Sequence, residues 1–192
     1  VNGSLAFVFW SAQGEIHYTV LNISGPSYTV VKPQAALITG NDALDTMDAA
    51  FDADGNIHVV IARILAAGDE SQLLIGGNIK RQVWYAKLLP TGFPPPAFVP
   101  RVLVQSLAGS HVSPRVVTQG VGVTVKATVV FTIDSGSFSN IGVAQVDSTG
   151  VSLTANTALP LTASTQRNEF PLIGIDSANK LNIVWVENRS IF

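Results

Sequence analysis

The sequence predicts an all-β chain built from repeated units of four antiparallel strands. Three observations predict it. The apolar residues come in short runs broken by Gly, Pro, Asn, Asp and Ser, as in strands separated by turns. A strand–turn–strand segment recurs along the chain, and so does the strand that follows it. Hydrophobic residues make up 47% of the 192 and charged residues only 12%, about half the ~25% of ordinary soluble domains, so both faces of a sheet can be covered.

The first element lies in "GSLAFVFWSA", Gly3–Ala12, a second strand with no first strand before it. "EIHYTVLNISG" (Glu15–Gly25) follows as a third strand and "SYTVV", from Ser27, as a weaker fourth. The next unit opens with "NDALDTMDAAF", Asn41–Phe51. Leu44, Met47 and Phe51 also fit one face of a helix capped by Asn41. The repeat favours a loop and then a strand, because the equivalent "QRNEFPLIGID" contains Pro171.

The clearest hairpin is "AAFDADGNIHVVIAR", Ala49–Arg63, whose copy is "LIGIDSANKLNIVWVE", Leu172–Glu187. They align without a gap, so that Ile57 matches Leu181, Val59 matches Ile183 and Ile61 matches Trp185. A diverged copy is Arg115–Asp134. The third strand recurs as "QVWYAKLLPTG" (Gln82–Gly92) and "NIGVAQVDSTG" (Asn140–Gly150), aligning Tyr18, Tyr85 and Val143. Fourth strands are "RVLV" from Arg101 and "LPLT" from Leu159. Ile16, Val83 and Ile141 are 67 and 58 residues apart, a spacing that fits a four-stranded propeller blade with long loops. The middle strands "IHVVIA", "ATVVF" and "LNIVWV" are almost wholly apolar, which predicts sheets covered on both faces, blade against blade.

The repeat units run over about 3–43, 44–110, 111–166 and 167–192 of a single domain. The first lacks one strand and the last holds two, whereas a closed propeller needs about four blades. The expectation is an incomplete propeller. Three readings follow: the rest of its own longer chain completes the ring, other copies of it do, or the units form another β architecture. The first is favoured because both ends fall inside a repeat, and open sheet edges would otherwise invite pairing.

The pattern D-x-x-G-N-I-H-V-V followed by (V/I)-x-Y-A resembles repeats of bacterial exported β-propellers of the sialidase-like and lectin-like kind. Trp185, Tyr18 and Tyr85 match that style. The resemblance implies a secreted or cell-surface binding or structural module that presents loops to a glycan or a protein. Its alternatives are a sialidase-like glycoside hydrolase or lyase, and a scaffold within a larger secreted assembly. "SAQGEIHY" and "DADGNIHV" match only part of the sialidase Asp-box, Ser-x-Asp-x-Gly-x-Thr-Trp.

Composition excludes several chemistries. With no cysteine there is no disulfide, thiolate metal site or Cys nucleophile. The 11 Lys and Arg residues are scattered, so no basic stripe points to nucleic acid. No apolar run reaches the ~18 residues of a membrane-spanning helix. No Gly-rich phosphate loop or nucleophile–base pair stands out, and neither a cofactor nor a metal is expected.

Asp52, Asp54 and Asn56 alternate like calcium ligands, but no later acidic ligand follows and the copy "DSANK" keeps only Asp176. A tight two-residue hairpin turn accounts for both copies. His17 and His58, inside strands, read as structural, and Trp10, Trp84 and Trp185 as packing. Candidate ligand-binding residues fall in the loops before each first strand. They are Asn41, Asp42, Asp45, His111, Arg167, Asn168 and Glu169, polar groups concentrated in a charge-poor chain. Arg167 could fork a carboxylate, and Asp42 or Glu169 could serve as acid or base under the hydrolase alternative. A long insertion, Ala66–Gln82, and a Pro-rich connection, Leu89–Pro100, complete the loops.

Overall fold

The computed structural model describes residues 4–12, 15–38, 44–64, 74–75, 78–79, 81–88, 101–102, 109–148, 159–162 and 165–188. The Pro-rich connection, most of the Ala66–Gln82 insertion, Asn41 and Asp42 lie outside them.

The fold is all-β, with several antiparallel sheets and none closed. The first sheet is a meander of β1 (Leu5–Ala12), β2 (Glu15–Asn22) and β3 (Thr29–Ile38). The second orders β4 (Leu44–Phe51), β5 (Ile57–Ile64), β8 (Arg81–Leu88) and β9 (Arg101–Val102). Between β5 and β8, β6 (Leu74–Ile75) and β7 (Asn78–Ile79) form a small ribbon of their own. The third sheet runs β10 (Ser110–Gln119), β11 (Lys126–Asp134), β12 (Ser139–Asp147) and β13 (Leu159–Pro160). The hairpin of β14 (Arg167–Ile175) and β15 (Leu181–Asn188) joins it through one parallel bridge, Ser139 to Arg167.

Leu44–Phe51 is a strand, paired with β5. Met47 and Phe51 both pack on one cluster, because residues four apart share a face in a strand as they do in a helix. That double fit is why the local pattern admits both readings.

The Asp turns are three-residue loops, not the two-residue turns that Asp-Gly suggests. Asp52 N–H donates to the Asn56 carbonyl and Gly55 N–H to the Asp52 carbonyl. Asp176 with Lys180, and Asn179 with Asp176, repeat both bonds. Gly55 has φ 81° and Asn179 φ 60°, so a type I turn ends in one left-handed residue. Asn tolerates that conformation, which is how the copy dispenses with glycine. In each loop the leading Asp carboxylate accepts two backbone N–H groups, from Asp54 and Asn56 or from Ala178 and Lys180. The carboxylates brace the turn, and Asp54 accepts a further bond from Gly122 N–H.

The sheets stack face to face. Ile57, Val59 and Ile61 of β5 meet Ile16, Tyr18 and Val20 of the first sheet. Val60, on the other face of β5, joins Val83 and Tyr85 against Ala127, Val129, Phe131, Ala144 and Val146 of the third. Every residue from Ile57 to Ala62 and from Ala127 to Thr132 is buried, as strands covered on both faces require. Through β14, the β14–β15 hairpin packs on the third sheet, against β10, β11 and β12.

The repeat is exact at the level of strand register. Phe9 pairs with Tyr18, Val60 with Tyr85, and Val130 with Val143. Equivalent positions therefore face the next sheet in the stack in each unit.

Candidate functional site

Two strands break their ladders at matching places. β10 shifts register between Val112 and Arg115, and β14 between Glu169 and Leu172. Each break holds a residue followed by proline, Ser113–Pro114 and Phe170–Pro171. Proline has no N–H to give the ladder, so the strand bulges there. Ser113 and Phe170 take up the extra length at φ 53° and 54°. This left-handed conformation costs a non-glycine residue roughly 1–2 kcal/mol. Such strain gathers where a strand must redirect a side chain.

The bulges open a pocket of about 110 Å³, lined by Val112, Ser113, Thr132, Asp134, Glu169 and Phe170. Phe170 projects at its mouth with 62% of its surface exposed. Arg167 holds Glu169 in place, its Nη1 lying 3.3 Å from Glu169 Oε1. Its Nη2 donates to the Gly136 carbonyl at 2.9 Å, tying β14 to the β11–β12 turn. Ser139 Oγ lies 3.5 Å from the same Glu169 oxygen. Asp134 accepts from Gly136 N–H at 2.8 Å. The wall thus carries two oriented carboxylates and two hydroxyls beside one aromatic ring.

Of the residues singled out in the sequence, Arg167 and Glu169 meet here. Asn168 is buried beneath them; its Nδ2 donates to the Ser139 carbonyl, and its Oδ1 accepts from Trp185 Nε1. His111 is buried on β10, beside the pocket residues Val112 and Ser113, with its ring centroid 5.3 Å from that of Phe131. Asp45 lies in β4 at the register shift between Leu44 and Thr46. Sequence reasoning passed over Asp134, Thr132, Ser113 and Phe170 as site residues. The available signal was an X-Pro pair at the same place in two copies of an inner strand.

A second polar cluster has a catalytic look but is sealed. Asp52 Oδ2 accepts from Asn56 Nδ2 at 2.7 Å and faces His58 Nε2 at 3.1 Å. An ionised carboxylate only accepts, so Nε2 carries the proton and Nδ1 accepts the Tyr85 hydroxyl at 2.7 Å. Lys87 Nζ stands 3.8 Å from Asp52 and donates to the Ser148 carbonyl. The side chains of Asp52 and His58 have no exposed surface. His58 is a satisfied structural histidine, as its apolar strand suggested.

Burial pushes the His58 pKa below its ordinary 6.5, outweighing the stabilising Asp52 carboxylate. Burial alone would raise Asp52, but the hydrogen bonds from Asn56 and His58 prevail and lower it. Burial is also what raises Tyr85 well above its usual range. The signs combine. Below about pH 6.5 the unfolded chain protonates this histidine before the folded one does, so folding stability falls. The depressed Asp52 adds a loss in the same direction at lower pH, as the pH drops through its folded value. Urea midpoints should therefore decline from pH 7 to pH 5 in the wild type. In His58→Gln the decline over that interval should be shallower; an equal slope would remove His58 as the cause.

A second opening, between the first two sheets, is lined by Phe9, Met47, Asp48, Ala49 and Val59 and encloses about 260 Å³. Its lone carboxylate, Asp48, already accepts from Val116 N–H at 3.0 Å. Among the described residues, no group of three or more His, Asp or Glu converges on a metal-sized site. No helix among them is long and apolar enough to cross a membrane.

The described residues thus form an all-β protein of stacked antiparallel sheets with a polar, aromatic-lipped pocket. No protein family matches the chain. No curated protein matches it either. Among solved structures it is similar to an endo-arabinase from Bacteroides thetaiotaomicron VPI-5482, with a TM-score of 0.39 and 11% identity over 92% of this chain and 68% of that one.

Proposed function

We propose that the chain is part of a β-propeller and a binding module that takes a glycan at the Asp134–Glu169–Phe170 pocket. The single observation that carries this is the exposed Phe170 ring beside two oriented carboxylates. A sugar has an apolar face of C–H groups and a rim of hydroxyls. The ring offers the first a stacking surface. The carboxylates offer the second strong acceptors, since hydrogen bonds to ionised groups are roughly twice as strong as neutral ones. The blade reading is supported by meanders of three or four strands stacked in repeated register. A secreted or surface location belongs to the same reading and is supported by the sequence resemblance.

The test is a glycan array followed by calorimetric titration of the best oligosaccharide. Phe170→Ala should weaken binding at least tenfold, about 1.4 kcal/mol. Wild-type affinity in that variant, or no ligand on the array, would falsify the proposal. The hydrolase alternative draws on the two carboxylates lining one pocket. If the bound glycan releases reducing ends and Glu169→Gln stops the release while binding persists, the module is an enzyme.

A further inference from the structure

Among the described residues, the first and last sheets of the stack each present an exposed apolar face, and the repeat identifies the two as matching halves. Within the chain the same contact is made twice. The face of the first sheet carrying Phe9 and Tyr18 packs on the Ile57–Val59–Ile61 face of β5. The face of the second sheet carrying Val60 and Tyr85 packs on the Val129–Phe131 face of β11. Every unit thus has a forward face, which meets the next sheet, and a back face, which meets the previous one.

Val60 is eight residues past Asp52, and Val184 eight past Asp176, so both hold the same forward position. Val130 holds it in the third sheet by its pairing with Val143. Val60 and Val130 are fully buried, whereas Val184 is 60% exposed. Its partner across the hairpin, Leu172, is 55% exposed. Among the described residues, the same valine, in the same register, lacks the following sheet and a third strand beside β15.

The other end of the stack presents a back face. Leu5, Phe7 and Phe9 point to the second sheet, so Ala6, Val8 and Trp10 point away. Leu21, opposite Ala6, and Val30, opposite Leu21, continue that outer surface. Val8 and Val30 are exposed there.

We propose that these two faces form one interface between copies. A second copy of this chain docks the outer face of its first sheet on the β14–β15 hairpin, head to tail. Continuity with the two sheet-on-sheet contacts inside the chain favours this occupant, because both halves of that contact exist on one molecule. Such an interface is heterologous, so association closes into a ring or propagates as an open filament. It does not rest on the glycan reading.

Sedimentation of the 192-residue chain tests it. The wild type should show mass rising with concentration. Val184→Glu and Val8→Glu should each sediment as monomer. An equimolar mixture of the two variants should give a species of twice the monomer mass and nothing larger, because one intact half comes from each. Far-UV circular dichroism checks that both variants keep the fold. If either loses it, Leu172→Glu and Val30→Glu take their places. A wild type that is monomeric at every concentration overturns the proposal. So does a folded variant that associates like the wild type, or a mixture that stays monomeric.

Discussion

Asp52→Ala should lower the unfolding free energy by about 3–5 kcal/mol, while Asp176→Ala, at the same place in the same turn, should cost under ~1 kcal/mol. Both carboxylates brace a three-residue loop through two backbone N–H groups. Asp52 is buried and also holds Asn56 Nδ2 and His58 Nε2. Removing it strands those donors, the Asn56 N–H among them, out of water. Each buried orphan costs about 1–3 kcal/mol. Asp176 is exposed, so water takes over its donors. Urea unfolding should show the midpoint of Asp52→Ala falling with the slope unchanged. Equal effects in the two variants would mean that the turn itself, not the buried network, is what the carboxylate supports.

Phe131→Ala should cost about 3–5 kcal/mol, the range for truncating a fully buried aromatic ring. Phe131 lies at the centre of the cluster between the second and third sheets. Its ring also supports His111 under the bulged strand. The neighbouring strand makes room for it at Gly142. A Cβ there would stand 2.8 Å from two ring carbons and 2.9 Å from Ile133 Cδ1. Gly142→Ala should therefore cost about 1–3 kcal/mol by overpacking. In the double variant the added methyl enters the space the ring has left. The combined loss should be smaller than the sum of the two single losses, which a double-mutant cycle in urea measures. Simple additivity would show that the ring and the glycine do not share that space.

Legibility in the sequence followed the range of the interaction. The Asp turns could be read because an Asp, a left-handed position and two flanking apolar runs all lie within a few residues. Even there the loop length was misjudged, since Asp-Gly fits a two-residue turn and only the Asp52–Asn56 pairing shows three. His58 could be placed by its apolar strand, but its partner Tyr85 comes from another strand and no local pattern names it. At the start of β14, Glu169 lines the pocket and Arg167 pairs with it, while Asn168 between them is buried. Successive strand residues face opposite ways, so the strand must be located before any of them can be assigned.

The sequence by itself determined the strands, their order in each meander and the repeat, because period, turn chemistry and apolar runs are properties of neighbours along the chain. Tertiary structure alone decided which of the equivalent apolar strands are covered. β5, β11 and β15 are similarly apolar, yet only the first two are buried throughout their cores. Tertiary structure also decided that two proline-following bulges on different strands open one pocket. Burial and pocket shape arise where sheets distant in sequence come into contact, and that contact is written in no single strand.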